Sequence, residues 1–244
     1  MASQFETGHA KNLANFQELT AFVVGFGTAY NPTKNALKVP QLNALIADAQ
    51  SKLTDVVAKN TSYNNAVNER VLEFSSIREL ATRLVNAIQA TDATAEKIKD
   101  AKGYNRKLQG KRATPSAAAP TSADAPAPNK ISASQQSFEQ RIQHFAGLVS
   151  VLQSEPSYAP NENDLKIATL TAKQASLQAK NTAVATAFAN VSSSRIARNN
   201  TLYNETNGLV ATALEVKKYI KSVFGASSPE FAQVKGIEFK KVKS

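Results

Sequence analysis

Residues 41–90 contain neither glycine nor proline. Within that run apolar side chains recur every three or four positions: Leu42, Ile46, Ala49, Leu53, Val56, then Tyr63, Val67, Phe74, Ile77, Ala81, Leu84 and Ile88. No stretch alternates with period 2 for long, so a half-buried strand is excluded and a helix is required. The repeat is near 3.5 residues and lasts about six heptads, the pattern of a long helix packed in a bundle or coiled coil. The unbroken register favours one helix of roughly 50 residues, with a hairpin turning near residues 60–65 as the alternative.

The same pattern occurs twice. Tyr30-Asn-Pro-Thr-Lys-Asn-Ala-Leu-Lys-Val39 reappears 128 residues later as Tyr158-Ala-Pro-Asn-Glu-Asn-Asp-Leu-Lys-Ile167. Leu13, Phe16 and Leu19 match Ile142, Phe145 and Leu148 at a shift of 129, and Ala101-Lys-Gly103 matches Val234-Lys-Gly236 at 133. The second apolar series runs Leu170, Leu177, Val184, Phe188, Val191, Leu202, Leu209, Ala213, Val216, Ile220, Val223. Gly208 interrupts it, at a cost of about 1 kcal/mol that a helix can tolerate. Residues 113–131, rich in Ala, Pro and Ser, read as a solvated linker between the copies. The expected organisation is helical repeat 1 over 1–112, the linker over 113–131 and helical repeat 2 over 132–244.

Shorter helices flank each long one, over residues 9–25 in the first copy and 135–152 in the second. Ser132 and Gln135 have capping-box spacing for the latter. Ser228-Pro-Glu-Phe reads as a helix start with Pro at the first position, closed by Gly236 as Gly103 would close its equivalent. Each copy is then short helix, long helix, short helix, basic tail. The fold expected is all-α, with two homologous halves forming a pseudo-two-fold bundle. A lone copy would leave much of its stripe wet, so the halves fold together or the chain forms a homodimer; two independent bundles on a tether are the alternative.

Composition removes several chemistries. Among 244 residues there is no Cys, and the two histidines are His9 and His144. Disulfide scaffolds, thiol catalysis and cysteine-based zinc sites are therefore excluded. A di-iron carboxylate bundle needs Glu-x-x-His pairs on two helices; Glu6 and His9 have that spacing, but Glu139 and His144 are five apart. Gly25-Phe-Gly27 lacks the rest of a dinucleotide fingerprint, and no nucleophile-elbow Gly-x-Ser-x-Gly is present. No enzymatic activity, cofactor or metal is expected. The N-terminus lacks the basic and apolar regions of a secretory signal, and the apolar residues 19–29 are too few to span a bilayer. The expected location is the cytoplasm.

Two sets of cations remain. Arg70 and Arg198 fall on the seam of the long helices, with Arg195 one turn before Arg198. They form either a polar cavity or anion site, or a register-setting layer whose arginines reach out to Glu69 or Glu205. The net charge of +10 also gathers at the ends of the copies. Residues 97–112 carry a net +6, including Arg106, Lys107, Lys111 and Arg112, and residues 217–243 a net +5, including Lys240 and Lys241. Such segments can engage a polyanion such as nucleic acid, although cations also collect at helix C-termini because the macrodipole favours them there.

Gly8-His-Ala-Lys-Asn12, the two Tyr-x-Pro turns, Asn105-Arg-Lys-Leu-Gln-Gly-Lys-Arg112, Ile131-Ser-Ala-Ser-Gln-Gln136 and Val223-Phe-Gly-Ala-Ser-Ser-Pro-Glu230 resemble an uncharacterised bacterial family of tandem helical proteins. The resemblance spans nearly the whole chain. It implies an all-helical fold with two related halves and carries no activity or site residue with it. The function expected is that of a non-enzymatic interaction or scaffold protein with a protein partner. Polyanion binding through the basic segments is the first alternative, and membrane association without a stable span the second.

Overall fold

Helices divide the long glycine-free run at Ser76. α2 (Val39–Ser75) has 37 residues and α3 (Ile77–Gln89) has 13, in the computed structural model, which describes residues 4–111 and 136–240. Neither a single helix of the full run nor a hairpin at 60–65 occurs. α2 passes through 60–65 unbroken and ends where distant side chains take its last carbonyls. Lys173 Nζ donates to Glu73 O at 3.0 Å and an Arg141 guanidinium nitrogen to Phe74 O at 2.9 Å. Terminal carbonyls left without intrahelical partners need such donors.

The second run divides likewise into α6 (Ile167–Tyr203), again 37 residues, and α7 (Leu209–Phe224). Gly208 is the cap of α7 rather than a tolerated interior glycine. The Asn204 side chain accepts from the amides of Thr206 and Asn207 at 2.9 and 3.2 Å, and the Gly208 amide donates to Asn204 O at 3.0 Å. This local loop ends the helix before Gly208 is reached.

Each half therefore has one more helix than the short–long–short pattern allows. The remaining helices are α1 (Gln4–Gly25), α4 (Ala95–Leu108), α5 (Phe138–Gln153) and α8 (Pro229–Lys235). Among the described residues there is no strand, and the fold is all-α. α8 starts as its sequence predicts: Ser228 Oγ accepts from the Phe231 amide at 3.1 Å, and Gly236 caps the other end. α5 is capped by Ser137, which accepts from Gln140 N at 3.2 Å; Ser132 and Gln135, like the linker at 113–131, lie outside the described residues. α4 does not stop at Gly103. It continues to Leu108, which is fully buried, because packing Tyr104 and Leu108 outweighs the roughly 1 kcal/mol a helical glycine costs.

Before α2 and α6 lie matching turns. Tyr30 and Tyr158 are both buried, and each phenol donates to the carbonyl seven residues on, Leu37 O at 2.8 Å and Leu165 O at 2.9 Å. Short 3-10 turns (Asn35–Leu37 and Asn163–Leu165) lead into the long helices. In α3 the residues Ile77, Ala81, Leu84 and Ile88 are fully buried, as are Leu209, Ala213, Val216 and Ile220 in α7.

The helices form two compact units. The first unit takes residues 1–63 and 187–244: α1, the front of α2, the back of α6, α7 and α8. Its core includes Phe16, Leu19, Leu42, Leu202, Leu209 and Val234. The second takes residues 64–186: the back of α2, α3, α4, α5 and the front of α6. Its core includes Phe74, Ile88, Leu108, Phe145, Leu152 and Leu170. Neither unit coincides with an expected repeat, since each joins part of residues 1–112 to part of residues 132–244. Within each unit α2 and α6 run antiparallel, linked through Asp48–Thr201 and Asn60–Arg195 in the first and Glu69–Lys180 and Glu73–Lys173 in the second. Two expected seam residues face outward instead: Phe188, 59% exposed and stacked near Tyr63 with ring centroids 5.9 Å apart, and Val223.

Candidate functional site

In the second unit, α3 buries Ile77, Ala81, Leu84, Val85 and Ile88, which turns Arg78 to the opposite, solvent face. α5 buries its middle and end, leaving Phe138 and Arg141 half-buried at its start. α4 comes very close to α5 because residue 147 is glycine: a Cβ there would overlap the Tyr104 ring. The start of α5 is thereby brought to the basic end of α4, which carries Arg106 and Lys107 in its last turn.

Two glutamines tie these helix ends together. Gln136 donates to Lys107 O at 2.8 Å and accepts from an Arg78 guanidinium nitrogen at 3.4 Å. Gln109 donates to Arg78 O at 2.8 Å and also lies 3.2 Å from Thr82 Oγ1. Beneath them two arginines pack on aromatic rings. The Arg70 guanidinium lies 3.9 Å from the Phe138 centroid, and that of Arg141 5.1 Å from Phe74 and 5.8 Å from Phe138. Phe74 and Phe138 meet edge to face at 4.8 Å. Arg70 also donates to Asn181 Oδ1 at 3.1 Å. The Nε atoms of Arg70 and Arg141 are buried without a hydrogen-bond partner.

Neighbouring cations act on two of the titratable groups here. Burial, then the neighbouring Arg78 charge, lowers the pKa of Arg141; burial, then Lys107, lowers that of His144. Both effects favour the neutral His144 imidazole. Among the described residues none of Arg70, Arg78, Arg106, Lys107, Lys111 and Arg141 has a carboxylate within 4.0 Å. Three acids of the same unit are paired with other cations: Glu69 with Lys180, Glu73 with Lys173 and Asp164 with Arg83.

The residues singled out from the sequence are divided between the units. Arg106, Lys107 and Lys111 belong to the second, where their side chains are exposed; Arg112 and Lys241 lie outside the described residues. Lys240 belongs to the first, where Asn12 clamps its backbone, accepting from its amide at 3.0 Å and donating to its carbonyl at 2.7 Å. The three seam arginines are divided too. Arg70 is in the second unit, Arg195 and Arg198 in the first. Arg198, only 4% exposed, donates Nε and a terminal nitrogen to Asn199 Oδ1 at 3.1 and 2.9 Å, while Arg195 reaches Asn60 at 3.3 Å. Glu69, an expected arginine partner, pairs with Lys180. Sequence reasoning missed Arg78, Arg141 and Gln136. Neither arginine sits in a charge run, and only the meeting of α3, α4 and α5 gathers them.

In the first unit one cation of the basic segment, Lys217, is used by the fold, while Lys218, Lys221, Lys235 and Lys240 have exposed side chains. Lys217 Nζ donates to Lys235 O and Ile237 O, each at 2.9 Å, and its burial lowers its pKa. Asn15 donates to Glu238 O at 2.6 Å. His9 is buried with its Nδ1 2.6 Å from the Tyr203 hydroxyl. Among the described residues no three His, Asp or Glu side chains converge as metal ligands, and no helix is long and apolar enough to cross a membrane. Comparison of the chain with protein-family models, curated proteins and solved structures finds no match.

Proposed function

We propose that the chain is a tandem duplication that works as a non-enzymatic interaction protein, and that its partner is a nucleic acid held by the basic ends of α3, α4 and α5. The observation that carries this reading is the set of cations in the second unit with no carboxylate within 4.0 Å among the described residues: Arg78, Arg106, Lys107, Lys111 and Arg141. Cations paired within their own chain have little left for phosphates, whereas the exposed Arg78, Arg106, Lys107 and Lys111 keep most of their field, and Arg141, half-buried and donating to Phe74 O, adds charge close by. Gln109 and Gln136 hold the three helix ends in place, so the charges are presented on a fixed frame.

Fluorescence anisotropy of labelled duplex DNA and single-stranded RNA, titrated between low and physiological salt, tests the reading. Binding is expected to weaken linearly on a log–log plot, with a slope of about −4.5 on duplex DNA and about −3.5 on single-stranded RNA for five phosphate contacts. Arg78→Glu, Arg106→Glu and Lys107→Glu together, all at exposed side chains, are expected to cost at least about tenfold in affinity, whereas Lys218→Glu in the first unit changes little. Salt-independent binding, or a triple variant that binds like the parent, contradicts it.

A second reading, a protein partner, rests on Val71 and Leu72, which are 55% and 74% exposed near the end of α2 in the same unit. Large apolar side chains so exposed and adjacent mark contact surfaces. It requires a nuclease-resistant protein complex that Leu72→Lys abolishes.

A further inference from the structure

In the first unit, α1 presents Glu18, Phe22 and Gly25 along one face, with Phe26 directly after its end. Opposite stand Glu230 and Gln233 of α8, and a groove of about 550 Å³ lies between the two helices. That volume falls in the range of small-molecule sites. The floor is apolar and aromatic, and a side chain at Gly25 would meet nothing within 4 Å. A carboxylate stands on each wall, and among the described residues neither Glu18 nor Glu230 has a cation within 4.0 Å.

The second unit shows what occupies the matching place there. Lys97, which precedes Glu230 by the 133-residue shift, donates its ammonium to Ser154 Oγ at 2.6 Å. Ser154 in turn follows Gly25 by the shift of 129. In one unit a lysine stem and its ammonium thus bridge the two helices at this place. The other has lost both the lysine and the hydroxyl, has a carboxylate where the ammonium was, and leaves the space open.

We propose that this groove binds a small organic cation: an amine or quaternary ammonium on an apolar or aromatic body. The body lies over Phe22 and Phe26 and buries apolar surface in place of the missing lysine stem. The cationic head sits between Glu18 and Glu230, where the aromatic rings add a cation–π contribution. Neither wall supplies a cation to receive an anionic ligand, and a neutral one would forgo both carboxylates.

The test compares 4-phenylbutylamine with its neutral counterpart 4-phenylbutanol by calorimetry and by amide shifts in NMR spectra of the full chain. The amine is expected to bind about tenfold more tightly than the alcohol, as two partly screened carboxylates would give. Shifts should centre on Gly25 and Gln233. The double variant Glu18→Gln, Glu230→Gln should bind both probes alike. Gly25→Trp should bind neither, with an unchanged unfolding midpoint because its side chain enters open space. Equal affinity for the two probes in the parent, no saturable binding up to millimolar amine, or full amine affinity in Gly25→Trp would overturn the proposal. The outcome is independent of nucleic-acid binding, which depends on residues of the other unit.

Discussion

Gly208 has φ −69° and ψ 159°, extended backbone open to any residue. What demands glycine there is Asn204, whose carbonyl oxygen would lie 2.6 Å from an added Cβ. Backbone cannot swing aside as a side-chain tip can, so Gly208→Ala should destabilise by at least about 2 kcal/mol, seen as a lower urea midpoint. An unchanged midpoint would mean that the loop between α6 and α7 is not held by this contact. The two buried phenols give a pH prediction at the same scale. Burial, then Asp164, pushes Tyr158 up to about 12, and burial, then Tyr219, moves Tyr30 in the same direction. A phenol raised in the fold contributes its full stability below its unfolded pKa, near 10, and loses it as pH rises through the folded value. Urea midpoints should therefore fall more steeply between pH 10 and 12 in the parent than in Tyr158→Phe. Parallel profiles would contradict the assignment.

At the scale of elements, α4 and α8 separate what local sequence determines from what packing determines. The Ser228-Pro-Glu start of α8 is legible because all its partners lie within one turn. The end of α4 is not, because Tyr104 and Leu108 gain their burial from α5, far along the chain. Gly103 is then a residue the helix tolerates, with nothing within 4 Å of an added Cβ. Gly103→Ala should raise stability by about 1 kcal/mol, measured by urea unfolding; destabilisation would show that α4 needs its glycine. The break at Ser76 was equally hidden. Periodicity runs unbroken across it, since Phe74 and Ile77 are both core residues. The carbonyl acceptors that end α2 are served by Arg141 and Lys173, 67 and 100 residues away. The same limit governed the basic surface. Arg106 and Lys107 were visible as a charge run, whereas Arg78 and Arg141 join them only through the meeting of three helices.

Across the whole molecule, the repeated sequence and the compact units divide the chain differently. Apolar periodicity tells which face of a helix is covered but not which helix covers it, so the helical runs were legible and their pairing was not. Phe16 and Leu19 of the first copy share a core with Leu209 and Val234 of the second, while Phe74 and Ile88 share one with Phe145 and Leu152. A chain divided between the copies would therefore leave neither piece with a complete core. The most direct test inserts a protease site between residues 113 and 131, cuts the purified full chain and passes it through a sizing column. The two fragments should co-elute at the mass of the intact protein and separate only in denaturant. Separation into two folded fragments under native conditions would contradict the shared cores.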